Sequence, residues 1–141
     1  MAALHFVATE KSEPSYAQST LWTSGEWQRL LIAGAEQAFD TRIPEVTYGR
    51  TLTEVFAGLT PDNTRIALDN YEATGPLGDW ALFTSEPVVL AFGAERGWSD
   101  DERAALRAHS FGLAHLGPRV LRTETAVIAA LSIVRSKLDL M

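Results

Sequence analysis

The stretch that most constrains the fold is Pro87–Gly93 (PVVLAFG), an unbroken apolar run that ends on glycine. A strand with one face in water alternates apolar with polar residues, whereas a strand covered on both faces does not. The run is therefore expected to be a central parallel strand. Parallel neighbours need long crossovers, usually helices, and the chain supplies them. Ala3–Ala8 reads as a short buried strand, Arg65–Asp69 as another and Leu113–Leu116 as a third, and residues 45–47 are expected to be extended. Trp27, Leu30, Leu31, Gly34, Ala35 and Ala38 recur at helical spacing and predict an amphipathic helix over residues 25–39. Thr23-x-x-Glu26 has the form of its capping box, and Gly34 on the apolar face predicts close packing against another backbone. Leu52–Ala57 reads as a short helix, Thr9–Ser24 as a loop, and Asn70–Glu86 as the least regular segment. Ser99-x-x-Glu102 is a second capping box, opening a helix to residue 110 with Gly112 as its stop, and a last helix covers Glu124–Leu138. The fold class this predicts is α/β, a parallel sheet with helices on both faces.

Two segments carry more special residues than a plain connection needs. Leu116–Ala126 (LGPRVLRTETA) combines a Gly-Pro turn, two arginines and a Val-Leu pair expected to be buried, just before the last helix. Gly117 permits backbone angles that other residues resist, Pro118 fixes the next φ, and Thr123 or Thr125 is expected to cap the helix. Phe92–Ser99 (FGAERGWS) ends the apolar run. Each follows a strand and precedes a helix, so the two should be neighbouring loops at one end of the sheet, where open α/β folds bind ligands.

These residues resemble a known family. LGPRVLRTETA is similar to the C-terminal signature of the RsmE RNA methyltransferases, usually close to LGPRILRTETA. Gly93–Ser99 (GAERGWS) is similar to that family's GPEGGFS, with a proline and a glycine lost. Glu36-Gln37 followed by Thr41–Glu45 is similar to its EQ…RVPEI segment, with Asp40 where an arginine is usual. The match spans roughly the last three-quarters of the family's catalytic domain. It implies the SPOUT class of fold, with a C-terminal trefoil knot that binds S-adenosylmethionine (SAM) and a homodimer. The implied reaction is methylation of uridine N3 in 16S ribosomal RNA of the small subunit. The resemblance places the domain's first strand and helix, and an N-terminal PUA-like RNA-binding domain, outside this chain.

The resemblance also assigns roles. Gly93, Glu95, Gly97, Leu116, Gly117, Leu121, Thr125 and Ala126 would hold the cofactor, glycines letting the backbone approach a flat adenine and Leu116, Leu121 and Ala126 forming apolar walls. Arg119 and Arg42 would contact RNA. For the chemistry the residues themselves offer Arg122 and Glu124, with Glu95 an equal candidate for the base that takes the N3 proton, and the resemblance names no base. Two readings of Arg122 stay open: a guanidinium on RNA phosphate or the uracil edge, or a buried ion pair with Glu124 or Glu95 that holds the loop. Glu124 could equally favour the helix N-terminus through the dipole. His115 is expected to be structural. A second function also stays open, a catalytically idle module that binds SAM or dimerises.

Composition narrows the rest. Hydrophobic residues make up 46% of the chain, enough for a core, and there is no cysteine, which excludes disulfides and thiolate metal sites. No metal is expected, and no GxGxxG, P-loop, GxSxG or HExxH pattern is present. No apolar run is long enough to span a bilayer and no signal peptide is evident, so a cytoplasmic protein is expected. The net charge of −6 argues against a freestanding nucleic-acid binder. Residues 1–86 hold 5 Lys/Arg against 12 Asp/Glu, residues 87–141 hold 7 against 6, so basic character gathers near the motif loops. The last helix has two apolar rows, Ala126, Ala130, Ile133 and Val127, Leu131, Val134, Leu138. One row docks on the sheet, and the second predicts either a two-fold partner or cover from Asn70–Glu86.

Overall fold

The computed structural model describes residues 1–82 and 86–140. The chain divides into two compact units, Met1–Ala8 with Ser12–Val55, and Thr9–Lys11 with Phe56–Met141.

In the first unit, β1 (Ala3–Ala8) pairs in parallel with β2 (Glu45–Thr51), from Ala3 opposite Glu45 to Ala8 opposite Thr51. The register shifts between Phe6 and Val7, where Gly49 (φ 76°) is the extra residue on β2. The expected loop between them folds into two single turns, α1 (Pro14–Ala17) and α2 (Thr20–Thr23), before α3 (Glu26–Gln37). The Thr23 capping box does not form. Gly25 at φ 73° is the N-cap of α3, and the Thr23 hydroxyl instead donates to the Thr20 carbonyl within α2. Close packing at Gly34 is also absent, since nothing lies within 4 Å of where its Cβ would be. Leu30, Leu31, Gly34, Ala35 and Ala38 instead line an open groove with Ile43 and Pro44. Phe6, Trp22, Tyr48 and Trp27 stack across β1 and β2, with Trp22 and Tyr48 ring centres 4.8 Å apart.

The short helix α4 (Leu52–Ala57) runs across the boundary at Val55, and the second unit continues with β3 (Thr64–Leu68), β4 (Val88–Phe92), α5 (Asp100–Ala108), β5 (Gly112–Ala114) and α6 (Thr123–Lys137). The three strands form a parallel sheet in the order β4-β3-β5. This corrects the reading of PVVLAFG as the central strand. β4 is an edge of this sheet and half-buried along its length, while β3 is central, with Ile66 and Ala67 fully buried. An apolar run reports that both faces are covered; it does not count the strand's hydrogen-bonded neighbours. The expected single sheet is likewise two sheets, because among the described residues β1 and β2 pair only with each other.

Helices cover both faces of the second sheet. Ile66 packs with Leu77, Ala114, Ala130 and Val134, and Leu68, Leu90, Phe92, Ile133 and Leu138 complete this layer. On the opposite side, Arg65 donates to the His109 carbonyl at the end of α5 (2.8 Å). Each fully buried Leu or Ile contributes about 1.5–3 kcal/mol over exposure. Leu77 belongs to the Asn70–Glu86 segment, whose 3₁₀ turn Leu77–Asp79 is also tied to α6 by Lys137 Nζ on the Gly78 carbonyl (2.6 Å). Cover for α6 thus comes partly from its own chain.

The Ser99 capping box forms as expected. Ser99 Oγ accepts from Glu102 N (3.1 Å) and Glu102 Oε2 accepts from Ser99 N (2.8 Å). Gly112 is not the helix stop. Ser110 takes the left-handed conformation (φ 62°), and Gly112 lies in β5, where a Cβ would fall 2.0 Å from the Trp80 ring. No helix among the described residues is long and apolar enough to cross a membrane.

Candidate cofactor and RNA site

At the C-terminal end of the second sheet, three loops surround a cavity of about 460 Å³. The loop after β3 supplies Leu68–Tyr71, the loop after β4 supplies Phe92–Glu95 and Gly97, and the segment leading into α6 supplies Val120–Glu124 and Ala126. The two glycine-marked loops expected to be neighbours do converge, joined by a third that the sequence did not single out.

The β4 loop is a tight turn in which Gly97 N donates to the Ala94 carbonyl (2.8 Å). Gly97 sits at φ 71°, and a Cβ on Gly93 would meet the Gly97 backbone and the Trp98 ring at 3.2 Å. Trp98, almost fully buried, pins this turn to β3 through its indole N–H on the Leu68 carbonyl (3.0 Å). Trp98 belongs to the GAERGWS segment, where nothing in its local sequence shows this hydrogen bond. Its signal was its position, a large aromatic directly after the turn glycine.

The β3 loop is built on an ion pair. Asp69 is buried, and its Oδ2 accepts from Arg103 Nε at 2.5 Å, while Oδ1 accepts the Tyr71 backbone N–H at 2.9 Å. The Arg103 side chain is only 7% exposed and also donates to Asp100 (3.1 Å). Its hydrogen bond to Asp69 raises its pKa above the ordinary arginine value, outweighing desolvation. Arg103 Cζ lies 5.6 Å from the centre of the Tyr71 ring, and Arg107 pairs with Glu72 beside it. Asp69 and Arg103 are 34 residues apart in sequence, so only the fold brings them together.

The LGPR segment is held by polar clips, not by a buried ion pair. Gly117 takes φ 120°, its N–H donates to His115 Nδ1 (3.0 Å), and Asn70 Nδ2 donates to the carbonyls of Gly117 (3.2 Å) and Arg119 (3.4 Å). His115 is thus structural, its Nδ1 serving as the acceptor that holds this turn. The Arg122 side chain is 88% exposed and stands 3.9 Å from Glu124 Oε1, which excludes the buried-pair reading. Val120 and Leu121 are exposed, not buried as expected, because they face the cavity mouth. Neither Thr123 nor Thr125 caps α6. Arg122 is the N-cap and makes no side-chain cap bond.

Of the residues expected to hold a cofactor, Gly93, Glu95, Gly97, Leu121 and Ala126 line the cavity, as do Arg122 and Glu124. Leu116 packs into the core below, and Gly117 and Thr125 do not line the cavity. Arg119 is exposed on the adjoining loop. Arg42 stands in the first unit, where Asp40 takes its guanidinium in a two-point bridge (3.1 Å each). That bridge lowers the Asp40 pKa to about 2.

The chain's residues 1–135 match the family model described as an RNA methyltransferase domain. The chain belongs to that family. It is 35% identical over 139 residues to the ribosomal RNA small subunit methyltransferase E of Treponema pallidum, covering 95% of this chain and 52% of that protein. It is 30% identical over 133 residues to the methyltransferase E 1 of Borreliella burgdorferi, covering 94% and 56%. Among solved structures, the Neisseria gonorrhoeae methyltransferase E bound to S-adenosyl methionine superposes with a TM-score of 0.79 at 25% identity, over 96% of this chain and 55% of that one. A Legionella pneumophila methyltransferase in complex with SAM gives 0.78 at 27% identity, over 96% and 55%. The RsmE resemblance read from three short motifs thus extends over nearly the whole chain, and the chain spans about half the length of these relatives.

Proposed function

We propose that this domain binds SAM and transfers its methyl group to N3 of a uridine in small-subunit ribosomal RNA, in the cytoplasm. The observation that carries the reading is the cavity itself. Its volume falls within the roughly 300–1,000 Å³ usual for ligand sites, and two of the three segments that line it are those that match the RsmE motifs. The donor set suits the cofactor. Gly93 and Gly97 present backbone instead of side chain, Leu68, Phe92, Leu121 and Ala126 supply apolar surface for an adenine, and Glu95 and Glu124 supply negative charge for a cationic ligand.

When bound, SAM supplies a methyl group already activated by its sulfonium. The chain's own residues then have two tasks, alignment and removal of the uridine N3 proton. Glu124 is assigned to accept that proton, and Arg122 to hold the uracil edge or its phosphate. Exposed Arg119 is assigned to the RNA backbone, as is Arg42 from the first unit. The SPOUT trefoil knot belongs to the same proposal. It is supported by the resemblance and by the way Asn70 clips the segment after β5 to the β3 loop. So does a homodimer, supported by Ile128, which stays exposed on α6.

Titration calorimetry with S-adenosylhomocysteine tests the reading first. Binding is expected, and Leu121→Asp should abolish it without unfolding the chain. Mass spectrometry of small-subunit RNA incubated with the chain and SAM should show a methylated uridine. A folded chain that gives neither heat nor a thermal shift at saturating ligand would overturn the cofactor assignment. Light scattering that finds only monomer, with and without ligand, would remove the dimer.

A further inference from the structure

Tyr71 is unusual among the cavity residues. It is 73% exposed, yet it is not loose. Its backbone N–H is held by Asp69, and the Arg103 guanidinium stands over its ring. Arg103 is in turn fixed by Asp69 and Asp100. At the ring edge, a Cβ placed on Gly97 would meet Cε2 at 3.5 Å, an ordinary van der Waals contact. The fold thus holds an aromatic face at the mouth of the site, with a buried cation behind it, and leaves most of its surface in water.

We propose that the Tyr71 ring is the stacking platform for the target nucleobase, a pyrimidine turned out of its RNA strand. Single-stranded RNA is recognised mainly by stacking unpaired bases on aromatic side chains, and a fixed ring loses little freedom when a base settles on it. Stacking also adds a salt-insensitive anchor beside the few phosphate contacts that Arg119 and Arg42 would offer in a chain of net charge −6. Adenine of the cofactor is the other flat heterocycle that could use the ring. The apolar lining of Leu68, Phe92, Leu121 and Ala126 serves adenine better, and the solvent-facing ring meets what arrives from solution. This inference rests on the methyl-transfer reading of the cavity.

The test measures binding of a short fluorescein-labelled oligouridylate by anisotropy, with and without saturating S-adenosylhomocysteine. Calorimetry of S-adenosylhomocysteine runs in parallel on the same proteins. Tyr71→Leu should weaken RNA binding about tenfold, equally at low and high salt, with the melting temperature and S-adenosylhomocysteine affinity unchanged. Tyr71→Phe should bind RNA as the parent does, since it keeps the ring face. A parent chain that does not bind the oligouridylate, or a Tyr71→Leu variant that binds it as well as the parent, overturns the proposal. A parallel loss of S-adenosylhomocysteine affinity in Tyr71→Leu also overturns it, assigning the ring to adenine. If the parent binds RNA but not S-adenosylhomocysteine, the cofactor reading fails while the RNA arm still decides the role of Tyr71.

Discussion

Replacing Trp98 by Phe should both destabilise the second unit and loosen its cavity. The indole is almost fully buried, and its N–H donates to the Leu68 carbonyl at 3.0 Å. Phenylalanine keeps an aromatic ring but loses the donor, and leaving the half-buried Leu68 carbonyl without it costs about 1–3 kcal/mol. The smaller ring leaves a void worth about 1 kcal/mol more. The total, about 2–4 kcal/mol, is a large share of a domain's stability. Phe is also the residue in the GPEGGFS pattern, so a conservation argument would predict the opposite sign. The ring packs 3.2 Å from the Cβ position of Gly93, and the loop it pins lines the cavity. S-adenosylhomocysteine affinity should therefore fall together with stability. Urea denaturation followed by circular dichroism measures the first, where the midpoint should drop by about 1 M or more. Calorimetry measures the second. A midpoint within about 0.3 M of the parent, or unchanged ligand affinity, would refute the view that this hydrogen bond holds the β4 loop on β3.

Asp69→Asn should lower stability by about 3–5 kcal/mol, because it removes the buried counter-charge of the Arg103 guanidinium and leaves it only the more exposed Asp100 and Glu72. The double variant Asp69→Asn, Arg103→Met should recover most of that loss in thermal melts, and a double variant no more stable than the single one would contradict the ion-pair account. Asp40 should titrate near pH 2 instead of its ordinary 3.8, and Arg42→Ala should return it towards 3.8 in a carboxyl NMR titration. Because the folded pKa is depressed, the pair's contribution is present above pH 3.8 and is lost as the pH falls through about 2. Both groups are exposed, so the variant's melting temperature at neutral pH should not change measurably.

The sequence by itself determined the class of fold, the order of the main elements and two of the three loops that make the site. Those features are local. A capping box such as Ser99–Glu102, an apolar run such as Val88–Phe92 and a glycine at φ 120° such as Gly117 satisfy their own neighbourhood, and so can be read from their own neighbourhood. The sequence did not determine which strand is central, because apolar faces do not record hydrogen-bonding partners. Nor did it determine whether Arg122 is buried or exposed, because an apolar neighbour in sequence need not be one in space. The cap expected at Thr23 failed for a related reason. Gly25 offered a left-handed start that placed the helix two residues later.

What only the tertiary structure decided is the third wall of the cavity. Asn70 and Tyr71 lie in the segment that reads as least regular, Asp69 ends the strand before it, and none of them forms a motif. They become part of the site because β3 lies between β4 and β5. That placement puts Asp69 under Arg103 of α5 and Asn70 against the Gly117 and Arg119 carbonyls. A buried carboxylate is stable only beside a cation fixed in the right place, and that cation is 34 residues away along the chain. The physical reason is therefore the range of the interaction. Backbone preference acts over a few residues, whereas charge pairing and base-stacking surfaces are assembled by packing.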